Sequence, residues 1–183
     1  MLPRTPLSPE TGKAEQQGFP VQRATTALLR AGERAPLFQL WSATGSRVTL
    51  AHMLDQGPVV LAFAGREPIA PKQLAAIAAH CSRISACGGG FLAVATRWPK
   101  AATSLASVTL LLDEGSEIAA AYGLPAAHSE VHRLGLQPTA ATFVISPNAR
   151  IILSLKHKNL VDHVATANAI CSLQALARRS IPP

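Results

Sequence analysis

The sequence predicts an α/β fold in which a central sheet is covered by helices on both faces. Short apolar runs typical of strands alternate with longer stretches of helical periodicity along the chain. The run 58–64 is apolar throughout, which is typical of a strand that is buried on both faces. Near its end the chain has the pattern of a β-hairpin followed by an amphipathic helix. Because successive elements of this kind pack into one layered structure, a single domain is expected.

The first part of the chain differs in composition from the rest. Residues 1–28 are rich in proline, glutamine and threonine and have no period of 2 or 3.6, which predicts a flexible arm. The folded domain is predicted to span residues 29–183. It begins with two extended segments, 37–41 and 47–50, that flank a turn containing Gly45.

Apolar periodicity and turn residues place the other elements. Three helices are predicted: 72–87, ended by three glycines, 116–122, closed by Gly123, and 160–178. Pro71 suits the start of the first of them. Five further strands are predicted at 58–64, 91–95, 107–112, 140–145 and 150–155, the last two forming the hairpin. This order gives the strand–helix–strand units expected of a mixed sheet.

Composition and charge limit the classes of function that the protein can have. The chain has 183 residues, of which 48% are hydrophobic and 15% charged, as in globular proteins. Its net charge is +7, but the basic residues are scattered and aromatic residues make up only 4%, which disfavours nucleic acid as a partner. No apolar stretch is long enough for a membrane span, and the first twenty residues do not have the pattern of a secretory signal. Three cysteines, an odd number, indicate a reducing compartment, so a cytoplasmic location is predicted.

Four sequence blocks between residues 29 and 178 share their order and spacing with one family. Residues 32–50 contain G-x-x-A-P-x-F followed by G and V-x-L, and residues 57–63 contain most of the apolar strand predicted at 58–64. Residues 112–124 are similar to D…A-x-x-Y-G, and residues 141–151 to A-T-F-V-I-D-x-x-G-x-I. The chain thus resembles peroxiredoxins of the alkyl hydroperoxide reductase/thiol-specific antioxidant group. The resemblance implies a thioredoxin-like fold and an antioxidant, oxidoreductase ancestry.

The catalytic motif is where the chain departs from this family. Relatives with the most similar pattern have W-C-P-x-C between strand and helix, which falls on residues 66–70 here. Glu67 takes the place of the first cysteine and Ala70 that of the second, and only Pro68 is shared. The arginine that many members carry just before A-T-F is replaced by Ala140. Because a carboxylate cannot be oxidised to a recyclable sulfenic acid, the resemblance implies that peroxidatic activity is lost at this site.

Glu67 admits two interpretations. Its charge could mimic an oxidised cysteine and hold a binding surface in one state. Alternatively it is an acidic residue favourably placed near a helix start, where the helix dipole contributes about 0.3–1 kcal/mol. The second interpretation is the simpler one.

The cysteines provide an alternative route to chemistry. Cys81 and Cys87 lie six residues apart on one predicted helix, about 9 Å along its axis and on different faces, so they are not expected to form a disulfide. A thiol oxidoreductase could use either as a relocated nucleophile. Cys81 is expected to pack against the sheet, whereas Cys87, beside three glycines, is the better candidate for an exposed thiol. Cys171 continues an apolar stripe with a spacing of four, three and four, which predicts a core position.

Metal and cofactor sites are not indicated. His128 and His132 have the i, i+4 spacing that could hold zinc on a helix, but no third ligand is evident, so surface histidines are expected. Neither a phosphate-binding glycine loop nor a G-x-S-x-G elbow is found, and no cofactor is predicted.

Taken with the family resemblance and the replaced cysteine, these observations predict a peroxiredoxin-like domain without peroxidatic activity that binds another protein or a second copy of itself. A thiol oxidoreductase with a relocated cysteine and a basic binding module remain the alternatives.

Overall fold

A mixed sheet of seven strands organises the protein. The computed structural model describes residues 27–64, 71–98, 108–124, 140–157 and 163–179. The strands are β1 (Gln39–Ser42), β2 (Arg47–Thr49), β3 (Val59–Phe63), β4 (Gly90–Ala95), β5 (Thr109–Leu112), β6 (Ala140–Ile145) and β7 (Ile151–His157). The helices of this described part are α1 (Leu50–Gln56), α2 (Pro71–Ala86), α3 (Glu117–Ala121) and α4 (His163–Arg179).

The strand order is β2-β1-β5-β4-β3-β6-β7. Strands β3, β4 and β5 are parallel to one another, whereas β6, β7, β1 and β2 pair with their neighbours in antiparallel fashion. Phe63, at the end of β3, therefore pairs with Val94 on one side and with Ala141 on the other. The carboxyl ends of three parallel strands and the amino end of β6 consequently meet at one edge of the sheet.

Strand β3 is buried on both faces, as its continuous apolar sequence predicts. Val59, Leu61 and Phe63 belong to a large core that also contains residues of α1, α3 and the segment before β1. Val60 and Ala62 face the opposite side, where α2 and α4 cover the sheet. The prediction of helices on both faces of a central sheet is confirmed.

Helix α1 is the element that the sequence analysis missed. It follows β2 without an intervening polar turn and buries only Leu50 and Leu54. It ends at Gly57, which has a φ of 150° and lies against the carbonyl of Gly88, where a Cβ would collide with that oxygen. The turn before β3 and the turn before β4 are thereby held in direct contact, and glycine is required at position 57.

The segment before β1 is joined to the β6–β7 turn. The amide of Gly32 donates to the carbonyl of Ile151 at 2.8 Å, and the amide of Ala35 donates to the carbonyl of Ala149 at 2.9 Å. Leu29 is buried, and its amide donates to the carbonyl of Tyr122 at 3.2 Å. Through these hydrogen bonds the chain is part of the fold from residue 29 onward. The flexible arm predicted for residues 1–28 lies almost entirely outside the described residues and stays a prediction.

Candidate functional site

The candidate functional site lies at the edge of the sheet where the parallel strands β3, β4 and β5 end, which we call the candidate edge. The amide of Ala64, directly after β3, donates to the carbonyl of Val94 at 2.8 Å, so the chain leaves the sheet beside β4. Helix α2 then begins at Pro71, where a proline costs no hydrogen bond. Glu67, Pro68 and Ala70 lie between these points, outside the described residues, and their roles stay predictions.

The described residues at this end of β3, β4, β5 and β6 are apolar. Phe63 and Ala95 are buried, and Ala140 and Ala141 are fully buried, with relative exposures of 0%. Ala140 pairs with His157 across β6 and β7. It occupies the position at which many peroxiredoxins are expected to carry an arginine. A guanidinium at this fully enclosed position would be a buried charge, which is strongly unfavourable without a partner.

Trp98 closes one side of the edge. It follows β4, and its indole Nε1 donates to the carbonyl of Leu111 at 2.7 Å. Its half-buried ring packs against the cluster that contains Ile77 and Cys81. Arg97, next to it, is exposed and carries a positive charge at the same edge. Neither residue was predicted to have a role, and the signal in the sequence was a W-P pair two residues after a strand.

Asp113 follows β5 and serves the adjoining helix. Its side chain is 5% exposed, and its carboxylate accepts the amide of Ala119 at 2.9 Å and that of Ile118 at 3.4 Å. Burial raises the pKa of this carboxyl above its ordinary value, and the backbone hydrogen bonds offset part of that effect. The carboxylate satisfies free amides in the first turn of α3, which is a structural task.

Tyr122 and Gly123 also have structural roles. The Tyr122 hydroxyl donates to the carbonyl of Pro36 at 3.0 Å, and its ring lies 5.2 Å from that of Phe63. Burial raises the pKa of Tyr122 far above its ordinary value, so the phenol stays neutral. Gly123 has a φ of 82°, and a Cβ there would collide with the Ala27 carbonyl. The D…A-x-x-Y-G block thus packs α3 against the end of β3 through Tyr122 and brings Gly123 into contact with the chain at Ala27.

All three cysteines lie in the described residues and are free. Cys81 is 4% exposed, and burial raises the pKa of its thiol to about 11, so it is protonated at neutral pH. It lies ten residues after Pro71, about 15 Å along the helix. Cys87 is half-buried beyond the other end of α2, about 24 Å from its start, against the cluster formed by α2, α4 and the sheet. Neither thiol of this segment therefore lies near the start of α2.

The prediction that Cys171 is a core residue is wrong. The side chain is exposed, and α4 buries Ala169, Ile170 and Leu173 instead. The stripe on which the prediction rested is rotated about the helix axis relative to the face that contacts the sheet. Alanines are frequent in this helix, and since they suit both faces they give little information about its orientation.

Metal binding and membrane insertion find no support in the described parts of the chain. Within them, no three potential ligands among His, Cys, Asp and Glu lie together. His128 and His132 fall outside the described residues. None of the helices in these parts is both long and apolar enough to cross a bilayer.

Comparison with known proteins agrees with this architecture. Peroxidoxin BcpB from Mycobacterium tuberculosis superposes with a TM-score of 0.64 at 20% identity, over 81% of this chain and 98% of that one. AhpC from the same organism gives 0.62 at 18% identity, over 85% and 97%. The reduced 2-Cys peroxiredoxin of Plasmodium vivax gives 0.63 at 17% identity, over 82% and 83%. These likenesses confirm the thioredoxin-like fold of peroxiredoxins.

Sequence comparison leads to the same family. No curated protein matches the chain significantly. Residues 31–154, by contrast, match the AhpC/TSA family, and they include all the strands but the last three residues of β7 together with α1, α2 and α3. This match covers well over half of the sequence, and the chain therefore belongs to the AhpC/TSA family of peroxiredoxins.

Proposed function

We propose that this chain is a peroxiredoxin homologue without peroxidatic activity, which binds another protein or a second copy of itself through the carboxyl edge of β3, β4 and β5. The absence of a cysteine between β3 and the start of α2 carries this proposal. Peroxide reduction needs a thiolate, and the positive end of a helix dipole is one of the features that stabilise it. Here the first cysteine after β3 is Cys81, about 15 Å along α2.

The surroundings of the expected nucleophile support the same conclusion. Ala140 provides no cation where the family resemblance would place one, at the amino end of β6, and its complete burial would cut a charged side chain off from water. Glu67 supplies negative charge where a thiolate is expected, but its carboxylate has no reversible oxidation chemistry. Nucleophile and supporting cation are thus both replaced.

Glu67 keeps its two interpretations within this proposal. As a mimic of an oxidised cysteine it would hold the binding edge in one state. As a structural residue it would stabilise the start of α2, although it precedes Pro71 by four positions and helix dipoles act mainly within the first turn. The Glu67→Gln variant separates them, because loss of the charge affects partner binding under the first interpretation and only stability under the second.

The alternative enzyme function rests on a relocated thiol. Burial and the raised pKa of Cys81 oppose its use as a nucleophile. The alternative therefore depends on Cys87, which is half-buried and lies at the far end of α2 from the candidate edge. A location in a reducing compartment, the cytoplasm, is part of the leading proposal, and the odd number of cysteines in the sequence supports it.

Peroxide consumption by the purified protein with a dithiol reductant, before and after alkylation with iodoacetamide, tests the loss of activity. We expect no turnover above the uncatalysed background in either sample. Turnover that alkylation abolishes would refute the proposal, and Cys87→Ser and Cys171→Ser variants would then locate the thiol. Glu67→Cys, compared with Ala70→Cys, is expected to gain no peroxidase activity, because Ala140 still lacks the cation.

Sedimentation over a range of protein concentrations tests the binding edge. Arg97→Glu reverses an exposed charge at this edge, and Arg83→Glu makes the same change on the exposed side of α2. We expect Arg97→Glu to weaken self-association and Arg83→Glu to leave it unchanged. A wild-type monomer at every concentration would exclude a second copy as the partner.

A further inference from the structure

Two arginines face each other where the segment before β1 meets the β6–β7 turn. Arg34 and Arg150 form an isolated antiparallel bridge. The flanking hydrogen bonds run from the Ala35 amide to the Ala149 carbonyl and from the Ile151 amide to the Glu33 carbonyl, each at 2.9 Å. This pattern makes the arginines a non-hydrogen-bonded pair, in which Cα atoms approach to about 4.5 Å and side chains are closest.

This arrangement is electrostatically unfavourable on its own. Like charges directly opposite each other destabilise a strand pair, and arginine does not lose its proton at any physiological pH. Both side chains are exposed, and among the described residues no carboxylate forms an ion pair with either guanidinium. The neighbouring Glu33 accepts the backbone amide of Arg30 instead.

The local structure orients one of the two groups. Nη1 of Arg150 donates to the carbonyl of Gly32 at 2.8 Å, which directs its guanidinium toward the segment that carries Arg34. A guanidinium has five N–H donors in a planar fork, so most of those of Arg150 remain available. Arg30 adds a third exposed positive charge in the same turn.

We propose that Arg34 and Arg150 bind a phosphate group, either free phosphate or the group of a small phosphomonoester. A tetrahedral oxyanion between the two side chains accepts hydrogen bonds from both guanidinium groups and offsets their repulsion. The site lies at the end of the sheet opposite to the candidate edge, because β6 begins beside Phe63 and ends beside Val59, before the turn that carries Arg150. It is therefore independent of the function proposed above.

Thermal unfolding at low ionic strength tests this site. The full-length protein is heated with inorganic phosphate, with glycerol phosphate, and with sodium chloride of matched ionic strength. We expect both phosphates to raise Tm above the chloride value. Arg34→Gln and Arg150→Gln are expected to reduce this difference, whereas Arg83→Gln, which changes the net charge equally on exposed α2, keeps it in full. By calorimetric titration, Arg34→Gln is expected to weaken phosphate binding about two- to fivefold.

Equal responses of Arg34→Gln and Arg83→Gln to both phosphates would overturn the proposal, because the effect would then come from net charge alone. A response to only one of the two compounds that depends on Arg34 supports the site and identifies which source it accepts. Arg34→Glu tests the premise separately. It replaces repulsion by attraction and is expected to raise Tm in phosphate-free buffer, and an unchanged or lower Tm would refute the repulsion on which the proposal depends.

Discussion

Substitution of Gly123 by alanine is expected to displace Ala27 and Leu28 from the turn that follows α3. Gly123 has a φ of 82°, a left-handed conformation that costs an alanine about 1–2 kcal/mol. A Cβ would also collide with the carbonyl of Ala27 and approach Leu28, and overpacking of this kind typically costs about 1–3 kcal/mol. The two costs together give a loss of about 2–5 kcal/mol.

Gly45 supplies a matched control. It has the same φ of 82°, but a Cβ at this position would meet no atom within 4 Å. Gly45→Ala therefore measures the conformational cost alone, about 1–2 kcal/mol. The difference between the two variants isolates the collision with Ala27, and we expect it to be about 1–3 kcal/mol.

Urea unfolding of both variants, followed by circular dichroism, gives the two free energies. Limited proteolysis gives a second readout, since Gly123→Ala should expose the chain near Leu28 to cleavage while Gly45→Ala should not. If both variants lose the same stability and resist the protease equally, the contact between Gly123 and Ala27 contributes nothing and the reasoning fails.

Three further predictions concern Asp113, the thiols and Trp98. Burial raises the pKa of Asp113 in the folded state above its unfolded value of about 3.8, so the stability that its protonated carboxyl contributes is lost as pH rises through the raised pKa. The stability of the wild type should therefore fall with pH relative to that of Asp113→Asn, as urea midpoints between pH 3.5 and 7 would show. Among the thiols, Cys171 should react with a disulfide reagent in the native protein and Cys81 only after unfolding, as mass spectrometry of the labelled peptides would show. Trp98→Phe should lose the hydrogen bond to Leu111 and about 0.5–1.5 kcal/mol of stability, measured by urea unfolding.

Each of these expectations has a result that contradicts it. Parallel pH profiles of wild type and Asp113→Asn would mean that the carboxyl has the same pKa in both states. Rapid labelling of native Cys81 would mean that α2 opens readily. An unchanged stability of Trp98→Phe, with Trp41→Phe on the exposed surface as control, would mean that water replaces the indole bond at no cost.

The sequence predicted the elements whose apolar pattern is long or continuous. Strand β3 and helix α2 lie within one or two residues of their predicted limits. A continuous apolar run marks the strand, and a proline at the start and three glycines after the end mark the limits of the helix. Helix α1 escaped prediction since its seven residues hold only two buried positions, Leu50 and Leu54, too few to establish a period.

Predictions about individual side chains depended on the phase of each element. For Cys171 the phase was wrong, because alanines on either side of the helix fit both solvent and core. Burial of Ala140 could not be inferred from alternation, since all six residues of β6 are buried. Assignment of Glu67 came from family resemblance alone, because local physical chemistry does not distinguish a replaced nucleophile from an ordinary acidic residue at a helix start.

The chain contains a single tyrosine, and its position makes it a built-in probe of the floor beneath the candidate edge. The Tyr122 ring contacts Phe63 and Phe143, with centroids 5.2 and 5.0 Å apart. Ring-proton chemical shifts of one residue therefore report the packing under the end of β3 without any label. Because burial raises the pKa of this phenol, it ionises near its ordinary pKa only after the chain unfolds. The ultraviolet absorbance of the phenolate therefore records alkaline unfolding of this core directly.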